Sequence, residues 1–465
     1  MNVTEDPRRG IPSVSALLDR DAVAALMAAH TRPVVLDALR AAIAEAREAS
    51  DTAPSDRDAI LAALHARLAS GELDRLRPVI NATGILLHTG LGRAVLPSVA
   101  ADALGRMDRC CNLQIDLATG RRGKRNAMCE RLIRDLTGAE AALIVNNNAA
   151  ATLLILAALC RDREVIVSRG ELIEIGGSYR LPDCITAGGA VMREVGTTNK
   201  THLRDYEQAI TPQTGALLRV NPSNYRVVGF SHRVPVGELA ALARAHELPL
   251  IDDLGCGALV DMRDYGLPAE PLVQDSIAAG AAIVCFSGDK LIGGPQCGII
   301  AGRKSLVDRI RKHPLTRMLR VGKLTDAALE QALRLFREPA ALPDRHPLYR
   351  MLARRVDDLR RDAETLRVAV QPTAGARAAL DILDGTSEIG GGSLPGVALP
   401  TVLLAIQDRE RGAEALAGRL RAGEIPIVTR IRDDRVLLDM RTLLPGEVRL
   451  TADILKEVLD GSFTS

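Results

Sequence analysis

Between residues 14 and 76 the apolar positions return at helical spacing: Leu17 and Leu18, Val23 and Leu26, then Val34, Val35, Leu39 and Ile43, then Ile60, Leu61, Leu64 and Leu68. Returns every three or four residues gather these side chains on one face of each helix. Pro33 suits a first-turn position, and Gly71 reads as the last stop signal. The pattern predicts a helical N-terminal domain over 1–77. Its acids and bases roughly balance, so the pattern alone speaks of packing or oligomerisation.

From "RPVINATGILLHTGLG" onward the pattern changes to glycine-rich loops and then to short apolar runs: "AALIV" (141–145), "EVIVS" (164–168), "GALLRV" (215–220), "LPLID" (248–252) and "AAIVCFS" (281–287). Helical stretches such as "VGELAALARAH" lie between several of them. Strands spaced by crossover helices predict a mostly parallel sheet covered on both faces, an α/β domain over 78–338. Beyond it, helix ("ALAGRLRAG") and strand ("RVLLDM") mix in a smaller α+β C-terminal domain over 339–465. Ligands of such sheets bind beyond the carboxyl ends of the strands, which is where chemistry is to be sought.

Composition narrows the function classes. The chain has 465 residues, 47% of them hydrophobic, enough for more than one core. The start "MNVTEDPRRG" has no apolar segment and no long apolar run follows, so a soluble cytoplasmic protein with no membrane contact is expected. The formal net charge of +2 does not announce a nucleic-acid partner, and 2% aromatic residues with no Trp argue against recognition by rows of stacked rings. Eight cysteines are scattered without C-x-x-C spacing, so no metal site is expected and most read as small buried hydrophobes.

Three strand ends collect unusual groups. Asn147, Asn148 and Ala149 open an alanine-rich helix whose free N–H groups suit a phosphate, although the asparagines also suit plain capping. Asp252 and Asp253 end another strand; adjacent strand residues point to opposite sides, so at most one faces a given ligand, and a buried carboxylate needs a cationic partner. Lys290, three residues after Ser287, ends a third. A buried lysine there is either a salt-bridge partner or a Schiff-base lysine. Phosphate turn, strand-end acid and lysine, in that order, fit a pyridoxal 5'-phosphate site. Two further clusters, His88 with Arg93 and Arg317 with Arg320, match a multi-oxygen anion or a solvated surface; the second pair reads as one turn of a helix.

The combination "NATGILLHTGLGRA", "IVNNNAAA", "GELIEIGG", "EVGTTN", "DDLGCG" and "FSGDKLIGGPQCGII" resembles the bacterial selenocysteine synthase family, the L-seryl-tRNA(Sec) selenium transferases. The resemblance spans nearly the whole chain and implies fold type I of the pyridoxal phosphate enzymes, active sites at dimer interfaces and ring-shaped decamers. It implies that Lys290 carries the cofactor, that Asp289 assists, and that Asp253 rather than Asp252 pairs with the ring nitrogen. Arg93, Thr197, Thr198, Arg317 and Arg320 match the residues that line the selenium-donor site, and the helical domain is similar to one that contacts tRNA. The implied reaction takes seryl-tRNA(Sec) through loss of the β-hydroxyl to an aminoacrylyl-tRNA, to which selenophosphate adds selenium. Two departures stand out: Cys256 replaces the usual serine of D-L-G-S-G, which suggests a redox-sensitive spot, and "VNPSNY" differs from the family wording. Relatives that act as lyases on small amino sugars or amino acids share the core motifs, and only the helical domain argues against that alternative. A non-catalytic binding protein is disfavoured by the intact Lys290, Asp253 and asparagine turn.

Overall fold

The computed structural model describes residues 11–18, 21–48, 57–73, 76–177 and 179–460. The chain divides into two compact units, residues 1–79 with 424–426, and residues 80–423 with 427–465.

The first unit consists of helices Val14–Leu18, Asp21–Ala29, Arg32–Glu48 and Arg57–Leu73. Leu17, Val23, Val35, Leu39, Ile43, Ile60, Leu64 and Leu68 close its core, while Val34 stays exposed. Gly71 does not stop the last helix, which runs on to Leu73; one interior glycine costs a helix only about 1 kcal/mol.

The second unit is built on a seven-stranded sheet of β1 (Ala141–Val145), β2 (Glu164–Ser168), β3 (Val191–Val195), β4 (Thr214–Val220), β5 (Leu250–Gly255), β6 (Ile283–Ser287) and β7 (Gly298–Gly302). Their spatial order is β1-β7-β6-β5-β4-β2-β3, with β7 antiparallel to both its neighbours. The other adjacent pairs are parallel. β1, β6 and β7 are buried along their whole length, as a sheet covered on both faces requires. The helices Asn148–Leu159 and Val236–Ala245 connect consecutive strands.

A four-stranded antiparallel sheet follows, formed by β8 (Ala378–Glu388), β9 (Ala398–Asp408), β10 (Arg430–Arg432) and β11 (Arg435–Asp439) in the order β8-β9-β11-β10. It is joined to the "NATG" segment through Asp439, which is fully buried at the end of β11. Its carboxylate accepts from Thr401 Oγ1 at 2.6 Å, Ser387 Oγ at 3.0 Å, Arg430 Nη2 at 2.9 Å and the Arg441 N–H at 3.0 Å. Gly84, at φ +75, passes so close that a Cβ there would lie 2.0 Å from Asp439 Oδ2. The following residues are laced to the end of β8, Leu86 N–H to Glu388 O at 2.9 Å and Leu87 N–H to Ile389 O at 2.7 Å. Asp439→Ala strands an arginine and two hydroxyls, so the expected loss is about 3 to 5 kcal/mol of stability, read as a lower urea midpoint.

Among the described residues no helix is long and apolar enough to cross a membrane.

Candidate active site

Lys290 sits in the loop that reverses the chain between β6 and β7. The loop is wound tightly: Gly288 N–H donates to Cys297 O at 2.9 Å, Gly294 N–H to Gly288 O at 2.8 Å and Gly293 N–H to Lys290 O at 2.9 Å. No side chain fits at Gly288, where a Cβ would stand 2.3 Å from Cys297 Sγ. Gly293 has φ +63 and is pressed against His346, whose Cε1 would lie 2.1 Å from a Cβ.

The two residues after the lysine are gripped from the helix Pro347–Ala353 and its N-cap. His346 Nε2 donates to Ile292 O at 3.0 Å, which fixes the tautomer, and Tyr349 OH donates to Leu291 O at 2.7 Å. The His346 ring is fully buried, edge-on to Phe336 and Tyr349. Burial pushes its pKa down to about 4, from about 6.5. The unfolded chain therefore takes up the proton first as pH falls, and stability is lost between about pH 6.5 and pH 4. The full span is worth about 3 kcal/mol. A stability-versus-pH series should show this slope in the wild type, and His346→Gln should flatten it.

Lys290 opens into a cavity of about 220 Å³ lined by Arg93, Asn147, Asn148, Ala149, Asp253, Ser287 and Asp289. Lys290 is 6% exposed, and burial lowers the pKa of its amine below that of an ordinary lysine, with Arg93 adding to the effect. Asp253, at the end of β5, faces the same cavity. It accepts from Asn148 Nδ2 at 2.7 Å, Thr152 Oγ1 at 2.9 Å and the Gly255 N–H at 3.1 Å. Burial still pushes its carboxyl pKa upward. Asn147 caps the helix Asn148–Leu159 by accepting from the Ala150 N–H at 2.8 Å. The capping reading thus holds for this side chain, while the Asn148 and Ala149 N–H groups have no acceptor within the helix and border the cavity. Arg93, held at φ 63 in its glycine-rich loop, donates from Nη1 to Asp289 Oδ2 at 2.6 Å.

Other residues singled out in the sequence lie elsewhere. Asp252 points away from this cavity and pairs with Arg219 Nη1 at 2.7 Å. Thr197 and Thr198 follow β3, exposed, and line an adjoining cavity rather than this one. Arg317 and Arg320 do not share a helical turn: the helix Leu315–Met318 is one turn long, and Arg320 is bridged to Val145 because Leu319 O accepts the Asn146 N–H at 2.9 Å. This seats their backbone beside the asparagine turn, with both side chains exposed and without an ion pair among the described residues. The redox role expected of Cys256 is corrected: the thiol is 1% exposed, burial drives its pKa up, and it donates to Glu270 Oε2 at 3.5 Å, so it stays protonated and inaccessible. Cys110 and Cys111 are exposed, while the remaining cysteines are buried.

Sequence reasoning missed several groups around the amine. Tyr179, Asn221 and Ser223 line the cavity. A Cβ at Gly392 would lie 3.5 Å from Lys290 Nζ, so the "GGGS" turn after β8 lies beside the amine. Three consecutive glycines between two strands were the available signal.

A family model described as L-seryl-tRNA selenium transferase matches residues 79–444, and one described as selenocysteine synthase N terminal matches residues 8–47. The L-seryl-tRNA(Sec) selenium transferase of Geobacter sulfurreducens is 46% identical over 96% of this chain and 98% of its own length. The chain belongs to the L-seryl-tRNA selenium transferase family. The Hyphomonas neptunium relative of the same name is 45% identical over 97% of this chain and 98% of its own. Among solved structures, a D-glucosaminate-6-phosphate ammonia-lyase covers 83% of this chain and 96% of its own with a TM-score of 0.55 and 22% identity. That likeness concerns the fold, which is the fold type I of pyridoxal phosphate enzymes.

Proposed function

We propose that this chain converts L-seryl-tRNA(Sec) to L-selenocysteinyl-tRNA(Sec) with selenophosphate as donor and pyridoxal phosphate as cofactor. The observation that carries the reading is the buried Lys290 amine, in one cavity with Asp253 and the asparagine turn, in a member of this family.

The residues fit the cofactor. Asp253 is a buried carboxylate with three donors and, among the described residues, no ion-paired cation, which is the deficit a protonated pyridine nitrogen fills. Asn148 Oδ1 and Ser223 Oγ are buried without partners at the same cavity. The free N–H groups of Asn148 and Ala149 suit its phosphate. When bound, pyridoxal phosphate supplies the electron sink that acidifies the serine α-carbon and lets the β-hydroxyl leave.

The chain's own residues do the rest. Lys290 would hold the cofactor through its amine, and the same amine, its pKa lowered by burial, would be placed to take the α-proton of the seryl group. Asp289 holds the Arg93 guanidinium at the cavity wall. The substrate carboxyl is esterified to tRNA and needs no arginine, which leaves Arg93, Arg317 and Arg320 for the oxygens of selenophosphate. Arg317→Ala is expected to raise KM for selenophosphate about tenfold, the effect of one charged hydrogen bond, with KM for seryl-tRNA unchanged. An unchanged selenophosphate KM would remove Arg317 from this role.

The helical domain over 1–77 would contact tRNA, and the chain would act in the cytoplasm as a ring-shaped homo-oligomer. The exposed Ile115 and Leu117 support contact between copies. The deciding assay supplies pyridoxal phosphate, seryl-tRNA(Sec) and selenophosphate and measures selenocysteinyl-tRNA. Release of ammonia from a small amino sugar, with no selenocysteinyl-tRNA formed, would support the lyase alternative instead.

A further inference from the structure

An aminoacyl-tRNA substrate imposes a spatial requirement on the protein. The seryl group is an ester on the ribose of the terminal adenosine, so with its α-carbon at Lys290 the ribose follows directly and the adenine base lies one ribose away. The wall of the lysine cavity must therefore give onto a space of nucleoside size that is lined for hydrogen bonding.

Such a space is present. A cavity of about 350 Å³ adjoins the lysine cavity, with Asn221 lining both. Its base is a built polar network. Glu171, 4% exposed, accepts from Arg233 Nη2 at 2.9 Å and the Val220 N–H at 2.9 Å, and Arg233 Nη1 reaches Asn221 Oδ1 at 3.3 Å. The Thr197, Thr198 and Ser231 hydroxyls line its wall, with Lys200 and Arg226 as cations.

Beside it stands an aromatic ring. Phe230 is 87% exposed in a chain that has four Phe and no Trp, and Lys200 Nζ lies 5.7 Å from its ring centroid. Asn199 Nδ2 donates to Phe230 O, which joins the ring's backbone to the loop that carries Thr197 and Thr198. A presented ring face with a neighbouring cation is the platform on which an unpaired base stacks, and one ring serves a short single-stranded end where a row would be needed for a long one.

We propose that this cavity receives the terminal adenosine of the aminoacyl-tRNA and that Phe230, with Lys200, stacks on the unpaired nucleotide before it. The proposal rests on the reading that the substrate is a seryl-tRNA. It adds where the 3' end is read and by which side chains.

The test uses full-length enzyme loaded with pyridoxal phosphate. Phe230→Ala is expected to raise KM for seryl-tRNA(Sec) about tenfold or more, as loss of one base-stacking ring does, and Phe230→Trp to restore it. KM for selenophosphate and the cofactor absorbance should not change. In a binding assay, the wild type should hold tRNA(Sec) about tenfold more tightly than the same tRNA lacking its terminal adenosine, and Thr198→Trp, which obstructs the cavity, should bind both alike. Equal wild-type affinity for the two tRNAs, or an unchanged seryl-tRNA KM in Phe230→Ala, overturns the proposal. So does a Phe230→Ala enzyme that falls to a smaller assembly in sedimentation yet keeps its preference for the intact 3' end, because the ring is then a contact between copies. Failure of the functional reading itself looks different: the wild type then forms no selenocysteinyl-tRNA.

Discussion

Lys290→Ala is expected to abolish selenocysteinyl-tRNA formation, with kcat lowered about 10⁴-fold or more, because on the proposed reading one substitution removes both the cofactor's covalent anchor and the base that takes the α-proton. The environment says why no neighbour substitutes. Lys290 is 6% exposed and sits in a loop wound by its own backbone hydrogen bonds, and Arg93, a nearby cation, stays protonated and cannot serve as a base. The variant should still fold, since the Lys290 side chain makes no hydrogen bond or ion pair among the described residues and burial disfavours its charge. Two readouts separate the roles. Absorbance of lysine-tethered pyridoxal phosphate should vanish in Lys290→Ala, and an added small primary amine should recover a fraction of turnover if loss of the base limits the rate. Because burial holds the lysine pKa below its ordinary value, the wild-type rate should rise with pH and level off earlier than an unperturbed lysine would allow. Product formation by Lys290→Ala at more than about a hundredth of the wild-type rate would overturn the role assigned to the lysine.

Much of this site was legible because strand ends close together in space are also marked locally in the sequence. The run "AALIV" and the asparagines after it become β1 and its helix start, and "LPLID" with its paired acids becomes the end of β5. Opposite side-chain directions along a strand then send Asp253 to the cavity and Asp252 to Arg219. What was not legible lacks a local mark. "VMREV" forms β3 at the sheet edge, where Arg193 can pair with Glu164 at 3.2 Å and no apolar run is needed. "GIIAG" is a short segment between glycines, and its burial as β7 depends on the loop that turns the chain back. His346, Tyr349 and Gly392 act on the lysine loop from segments far along the chain. The Arg317 and Arg320 spacing suggested a helical face, but pairing of Arg320 with Val145 cuts the helix short, a tertiary contact that periodicity does not reveal.

Asp253→Asn should separate catalysis from stability more cleanly than any other change at the site. Asp253 is 4% exposed and its carboxylate accepts from Asn148, Thr152 and the Gly255 N–H, while burial raises its pKa. An acid whose folded pKa is raised above the unfolded value contributes stability at low pH and loses it as pH rises through the unfolded value toward the folded one. At neutral pH the cofactor-free protein therefore gains by losing this charge, and the isosteric amide, which keeps one acceptor oxygen, should leave Tm unchanged or slightly higher. The loaded enzyme behaves in the opposite way. The charge that costs the empty fold is what would hold a protonated pyridine nitrogen on the proposed reading, and without it kcat should fall about 100- to 1,000-fold, the loss seen when one preorganised electrostatic partner is removed from an active site. Lys290 should still tether the cofactor, so its absorbance remains while turnover falls. A kcat within tenfold of wild type would show that Asp253 does not pair with the ring, and a large drop in the Tm of the cofactor-free protein would show that its three hydrogen bonds outweigh the burial of its charge.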